Sequence, residues 1–165
     1  MHIYLLRHGI AEDAAPGIGD QARALTAEGH KRLRRAMSAW RRLVAKPDVV
    51  ITSPLRRAHE TAELFAEATR FAGELRVDEA LVPDAAPSLA MSLLEAEVLS
   101  ATNAIALVGH EPHLGHLLGT LLTGHPRQAI PLKKGMLVGV ETLTEHGASS
   151  ELRFALSQKA AAELD

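Results

Sequence analysis

Cysteine is absent from this chain. That absence excludes disulfides, thiolate zinc sites and every phosphatase that attacks through cysteine, and it suits a reducing cytosol. Charge of one sign is lacking too. The formal net charge is −2, so nothing marks a nucleic-acid-binding surface. No basic segment followed by an apolar one opens the chain, so no secretory signal is expected. The longest apolar stretch, near Leu114 to Leu122, is short and broken by glycine, too short to span a bilayer. There is no internal repeat, no low-complexity tract and no linker long enough to divide domains. These absences predict a cytoplasmic chain that makes one domain over residues 1–165, with no membrane or nucleic-acid partner, as a monomer or weak dimer. With 47% apolar and 23% charged residues, it can build a full core.

Short apolar runs alternate with helical patterns. Ile3 to Leu6, Val49 to Ile51 and Ala104 to Val108 are apolar or β-branched runs that predict buried strands. Leu75 to Val77 adds a short strand, and Met136 to Glu141 with Leu152 to Leu156 add late strands, joined as a hairpin across His146-Gly147. Glu12 to Arg23 is a polar loop with Pro16, Gly17 and Gly19. Helices are expected from Thr26 to about Ala45, Leu55 to about Phe71, Ser88 to Leu99 and His113 to Leu122. In the first, Leu33, Met37, Trp40 and Val44 recur at helical spacing as a buried stripe; in the second, Ala58, Ala62 and Phe65 face inward. Ala160 to Asp165 reads as a frayed end. The alternation implies an α/β fold with a mostly parallel central sheet and helices on both faces.

Ligands in such folds bind where strands end. Three strand ends carry chemistry: Arg7-His8-Gly9, Ser53-Pro54-Leu55-Arg56-Arg57-Ala58 and Gly109-His110-Glu111-Pro112. A parallel sheet would bring all three to one edge. A histidine with arginines beside it suits attack on phosphorus, because guanidinium grips phosphate oxygens bidentately. Gly9 ends the first strand by allowing a sharp change of direction and would border the substrate. The nucleophilic imidazole must be neutral, with its proton on one nitrogen while the other attacks. Nearby Arg7 and an arginine of the Arg56-Arg57 pair would disfavour imidazolium: one such charge about 4 Å away is worth roughly 4 kcal/mol before screening.

Blander readings stand beside these. His8 alone could be a strand-end histidine bonded to backbone. His110, His113 and His116 invite a metal site, but Pro112 separates the first from the helix and no third ligand converges, so no metal or cofactor is expected. His113 then sits at the helix start on the pocket rim, and His116 is a partly buried polar side chain. Lys31, Arg32, Arg34, Arg35, Arg41 and Arg42 could dock an acidic partner, yet the apolar stripe on the same helix makes them its solvated face. Arg23 either reaches the phosphate from its loop or pairs on the surface. Lys133-Lys134-Gly135 borders the pocket or merely aids solubility. Ser53 is a turn or cap residue.

These motifs, with the Arg23-Ala24-Leu25-Thr26-Ala27-Glu28-Gly29 segment and Thr61, resemble the histidine phosphatase superfamily and within it the small SixA-like phosphohistidine phosphatase branch. The resemblance runs from Ile3 through the helix after Pro112. It implies a phosphoglycerate mutase-like, three-layer αβα sandwich. It also implies His8 as nucleophile, with Arg7, Arg57 and His110 around the phosphoryl group; Arg56 is out of register. Many relatives carry a glutamate acid in the loop after the middle strand, where this chain has Pro83. Glu79 and Asp84 are nearby candidates to contact substrate or donate a proton, neither in register. An alkoxide leaving group needs such an acid, whereas an imidazole of pKa about 6.5 leaves readily. The expected activity is a metal-independent phosphatase that forms a phosphohistidine intermediate and acts on a phosphohistidine-bearing protein. A small-molecule phosphomonoesterase and a non-catalytic phosphate-binding module are the alternatives.

Overall fold

The computed structural model describes residues 1–17, 19–142 and 150–164. Its core is a six-stranded sheet of β1 (His2–Arg7), β2 (Val49–Thr52), β3 (Arg76–Val77), β4 (Ala104–Gly109), β5 (Leu137–Thr142) and β6 (Ser150–Leu156), in the order β3-β2-β4-β1-β5-β6. The first four of that order run parallel; β5 is antiparallel to β1, and β6 to β5. The mostly parallel sheet is thus present, closed on one side by an antiparallel pair. The turn expected at His146-Gly147 lies outside the described residues.

The helices are α1 (Ala27–Leu43), α2 (Arg56–Thr69), α3 (Pro87–Leu99), α4 (His113–Thr123) and α5 (Gln158–Ala162). Strand side chains alternate between two cores. Tyr4, Leu6, Ala106 and Val108 pack with Leu33 and Trp40 of α1, Ala58, Ala62 and Phe65 of α2, and Ala161 of α5. Ile3, Leu5, Ile105 and Leu107 face the other way, against Ala90 and Leu94 of α3 and Leu114, Leu117 and Leu121 of α4. This is the αβα sandwich of the phosphoglycerate mutase-like type.

Local chemistry sets the element ends. The Thr26 hydroxyl caps α1 by accepting from the Gly29 N–H at 3.0 Å. A β-carbon at Gly29 would stand 2.2 Å from the Ile10 carbonyl, so only glycine lets α1 begin against the segment that follows His8. Gly124, with φ of 74°, closes α4 in the left-handed conformation. The tail is not frayed. Ser157 caps α5 through the Ala160 N–H at 3.2 Å, and Ala161 is fully buried.

The fold places the three chemistry-bearing strand ends side by side. Because β4 lies between β2 and β1, His110 emerges flanked by Ser53 on one side and His8 on the other. The backbones are joined there: the His8 N–H donates to the Gly109 carbonyl and the Ser53 N–H to the Val108 carbonyl, each at 3.0 Å.

Candidate active site

His8 follows β1 and is 7% exposed. Its Nδ1 lies 2.7 Å from the Gly9 carbonyl. A carbonyl only accepts, so Nδ1 carries the proton and Nε2 keeps its lone pair. Burial drives the pKa of His8 down to about 4, opposed by the Gly9 bond and assisted by the charges of Arg57, Arg7 and Lys134. The arginine charges lower it as expected, but loss of hydration comes first. The imidazole is therefore neutral well below pH 7.

His110 is 1% exposed, its ring centroid 4.9 Å from that of His8. Burial first, then His8 and Arg57, lower its pKa to about 2. Its Nε2 lies 2.9 Å from Ser53 Oγ, and the same oxygen accepts from the Leu55 N–H at 3.3 Å. The arrangement suits a Ser53 hydroxyl that donates to Nε2, which puts the His110 proton on Nδ1. That buried Nδ1 has no partner among the described residues. Ser53 does cap the turn, as expected, and its hydroxyl also holds the His110 ring in place.

The two arginines are held by backbone oxygens. Arg7 Nη1 donates to the Leu132 carbonyl at 2.6 Å, while its buried Nε has no partner. Arg57, at the start of α2, donates from Nη1 to the Asp20 carbonyl at 2.8 Å and from Nη2 to Asp20 Oδ2 at 2.9 Å. Arg56 next to it is exposed and pairs with Glu60 at 2.7 Å. A half-buried Arg7 with an unspent Nε beside a buried Arg57 suits an anion with several oxygens.

A strap before β5 completes the edge. The Gly135 N–H donates to both the Arg7 and His8 carbonyls at 3.0 Å, and Leu132 N–H donates to Glu111 Oε1 at 3.1 Å. The strap leaves Lys134 exposed, with its charge acting on His8.

Other candidate residues fall differently. Gly9 does not border a substrate through a free N–H, because that group donates to Thr61 Oγ1 at 3.1 Å. Nor does it adopt a left-handed turn. A β-carbon there would crowd Leu33 Cδ1 at 2.8 Å and Leu25 Cδ2 at 3.2 Å, so a larger residue would displace those side chains. Arg23 pairs with Asp20 Oδ1 at 2.6 Å and with the Glu12 carbonyl at 2.7 Å, so its surface pairing leads, through Asp20, back to Arg57. The side chains of Glu79 and Asp84 are exposed and form no hydrogen bond or ion pair among the described residues. The structure does not bring either to the histidines by any such contact. His113 is buried at 1% exposure rather than set on the rim, while His116 is partly buried, its Nδ1 3.1 Å from the Pro126 carbonyl. Among the described residues, no group of three His, Cys, Asp or Glu could hold a metal ion, and no helix is long and apolar enough to cross a membrane.

Sequence reasoning missed Asp20 and the full role of Ser53. Asp20 is one polar residue in a loop that reads only as polar. No spacing signals that it returns to a residue 37 positions later.

Comparison with known proteins agrees with this geometry. The family model of the histidine phosphatase superfamily (branch 1) matches residues 3–82. An uncharacterised protein of Picosynechococcus is 31% identical over 142 residues, covering 86% of each chain. The phosphohistidine phosphatase SixA of Escherichia coli (strain K12) is 24% identical over 147 residues, covering 89% of this chain and 88% of that one. The solved structure of the protein histidine phosphatase SixA complexed with tungstate superposes with a TM-score of 0.86 at 23% identity, over 96% of this chain and 98% of that chain. With a buried neutral histidine between two arginines at the matched strand end, the chain belongs to the histidine phosphatase superfamily (branch 1) and is a phosphatase that acts through a histidine.

Proposed function

We propose that this protein is a metal-independent phosphohistidine phosphatase whose substrate is a phosphohistidine-bearing protein. The observation that carries the reading is the Nδ1 of His8 tied to the Gly9 carbonyl, which leaves Nε2 as a neutral nucleophile in an arginine-lined pocket. Nε2 attacks phosphorus of a phosphohistidine whose other ring nitrogen is protonated, the P–N bond of the substrate breaks, and the electron pair leaves with the substrate ring as neutral imidazole. Arg7, Arg57 and the Nδ1–H of His110 stabilise the charge on the equatorial oxygens as they spread in the transition state. Water then attacks the phosphohistidine formed on His8, giving inorganic phosphate and restoring the imidazole. Charge stabilisation and alignment come from the protein, so no step calls for a metal.

The leaving group narrows the substrate. Pro83 stands where a proton donor would be expected, and the side chains of Glu79 and Asp84 are exposed without polar partners among the described residues. A site without a held acid favours an imidazole leaving group over an alkoxide. The similarity to SixA supports the same substrate class.

The test is turnover of a labelled phosphohistidine protein beside an alkyl phosphomonoester, both in chelator, for wild type and His8→Ala. We expect preference for the phosphohistidine protein and loss of more than about 10³-fold in the variant. Clear preference for the monoester would replace this reading with a small-molecule phosphatase. Phosphate binding without turnover would replace it with a binding module, and loss of activity in chelator would restore a metal.

A further inference from the structure

Asp20 occupies the donors that a phosphoryl group would use. It lies in a 3-10 turn, Asp20–Ala22, in the loop before α1. Its carbonyl and its Oδ2 take the two terminal nitrogens of Arg57, while Oδ1 accepts from Arg23 at 2.6 Å. A carboxylate bridging two guanidinium groups presents the same face that phosphate oxygens would present. The partners differ sharply in burial. The Arg57 side chain is 6% exposed and that of Asp20 is 54% exposed. Arg57 is fixed, while the carboxylate can swing into water without losing hydration. A phosphoryl group carrying up to two charges and three oxygens is the stronger ligand for that arginine.

We propose that the Asp20 carboxylate is a built-in competitor for the phosphoryl group. It holds Arg57 and Arg23 when the pocket is empty, yields them to the substrate, and returns to hasten release of inorganic phosphate. The inference rests on reading the site as a phosphate pocket. It also explains how a strongly cationic pocket avoids being blocked by its own product. The opposing account is that Asp20 merely positions Arg57. Asp20→Asn separates the two, because the backbone carbonyl bond to Nη1 survives while the charge is lost.

The experiment is calorimetric titration of inorganic phosphate into wild type, Asp20→Asn and Asp20→Ala, with turnover of the phosphohistidine protein measured on the same preparations. We expect phosphate to bind about five- to tenfold more tightly to both variants. KM should fall and kcat should fall with it as product release slows. Phosphate affinity that is unchanged or weaker in the variants, with a raised KM, would overturn the proposal in favour of positioning. Tighter phosphate binding without wild-type turnover of the phosphohistidine protein would sustain the role of Asp20 and sink the substrate assignment. Failure of all three proteins to bind phosphate would overturn both.

Discussion

Arginine crowds two regions of this molecule, the catalytic edge and the outer face of α1, and the two use it in opposite ways. On α1, Lys31, Arg32, Arg34, Arg35, Arg41 and Arg42 are all exposed. Arg32 pairs with Glu28 one helical turn away, and Arg34 reaches Glu67 of α2 at 3.7 Å. Such pairs are each worth about 0–1 kcal/mol, because water already solvates both partners. At the catalytic edge Arg57 is 5% exposed and Arg7 leaves a buried Nε without a partner. There the cations have lost water and gained only a few oxygens. Charge density is therefore a poor guide to a phosphate site. Burial is a better one, and adjacent Arg56, exposed, and Arg57, buried, show it within a single helical turn.

The contrast can be broken most directly by truncation. Arg57→Ala should lower kcat/KM by about 10²–10³-fold, as loss of a charge-stabilising donor does elsewhere. Arg34→Ala should leave kcat/KM within about twofold. Steady-state kinetics on both variants checks the pair, and comparable losses would mean that the α1 face also engages the substrate.

Acid should undo the buried edge before the exposed face. His8 and His110 have folded pKa values of about 4 and about 2, below the unfolded value of about 6.5. Between those values the unfolded chain binds protons that the native chain refuses. Their contribution is thus fully present above about pH 6.5 and lost as pH falls, amounting to about 2 kcal/mol per histidine at pH 5. Urea unfolding at pH 7.5 and pH 5 should show this drop, and His110→Asn should reduce it. A pH-independent midpoint would contradict burial of the two rings.

A smaller effect is expected from Ser53→Ala. It removes the hydroxyl that fixes His110 Nε2, and kcat should fall about tenfold with little change in KM, a cost near 1.4 kcal/mol. Rescue by Ser53→Thr, which keeps the hydroxyl, would tie the loss to the hydrogen bond. The smallest effect belongs to the outer face. Arg34→Ala should shift stability by less than about 0.5 kcal/mol in denaturant titration, and a larger shift would show that its pair with Glu67 clamps α1 to α2.

Much of this was legible in the chain. The apolar runs at Ile3 to Leu6 and Ala104 to Val108 name their strands because a doubly covered strand has no polar face to alternate. The Leu33–Met37–Trp40 stripe names the buried side of α1 by the same logic at helical period. His8, Arg7 and His110 stood out because each ends or follows a strand at one sheet edge, while Arg57 was told from Arg56 only by the resemblance to the histidine phosphatases. The tail was read wrongly because α5 is short and nearly all of its sequence is polar or alanine; the Ser157 cap, the packing of Ala160 and Ala161 and the bond from Arg42 to the Leu164 carbonyl hold it. Gly9 was read for turning, whereas its backbone is not left-handed and its α-carbon packs closely on Leu33, a contact invisible before α1 folds back.

By itself, then, the sequence determined the alternation of strands and helices and the residue types gathered at three strand ends, since these follow from local pattern. Tertiary structure decided the rest. It inserted β4 between β1 and β2, so that His110 meets both His8 and Ser53. It drew water from His8, which lowers the pKa of that ring more than the arginines do. It also folded the loop before α1 back onto α2, setting Asp20 on Arg57. Long-range proximity and desolvation belong to no short stretch of chain, because both arise only when distant segments exclude water together.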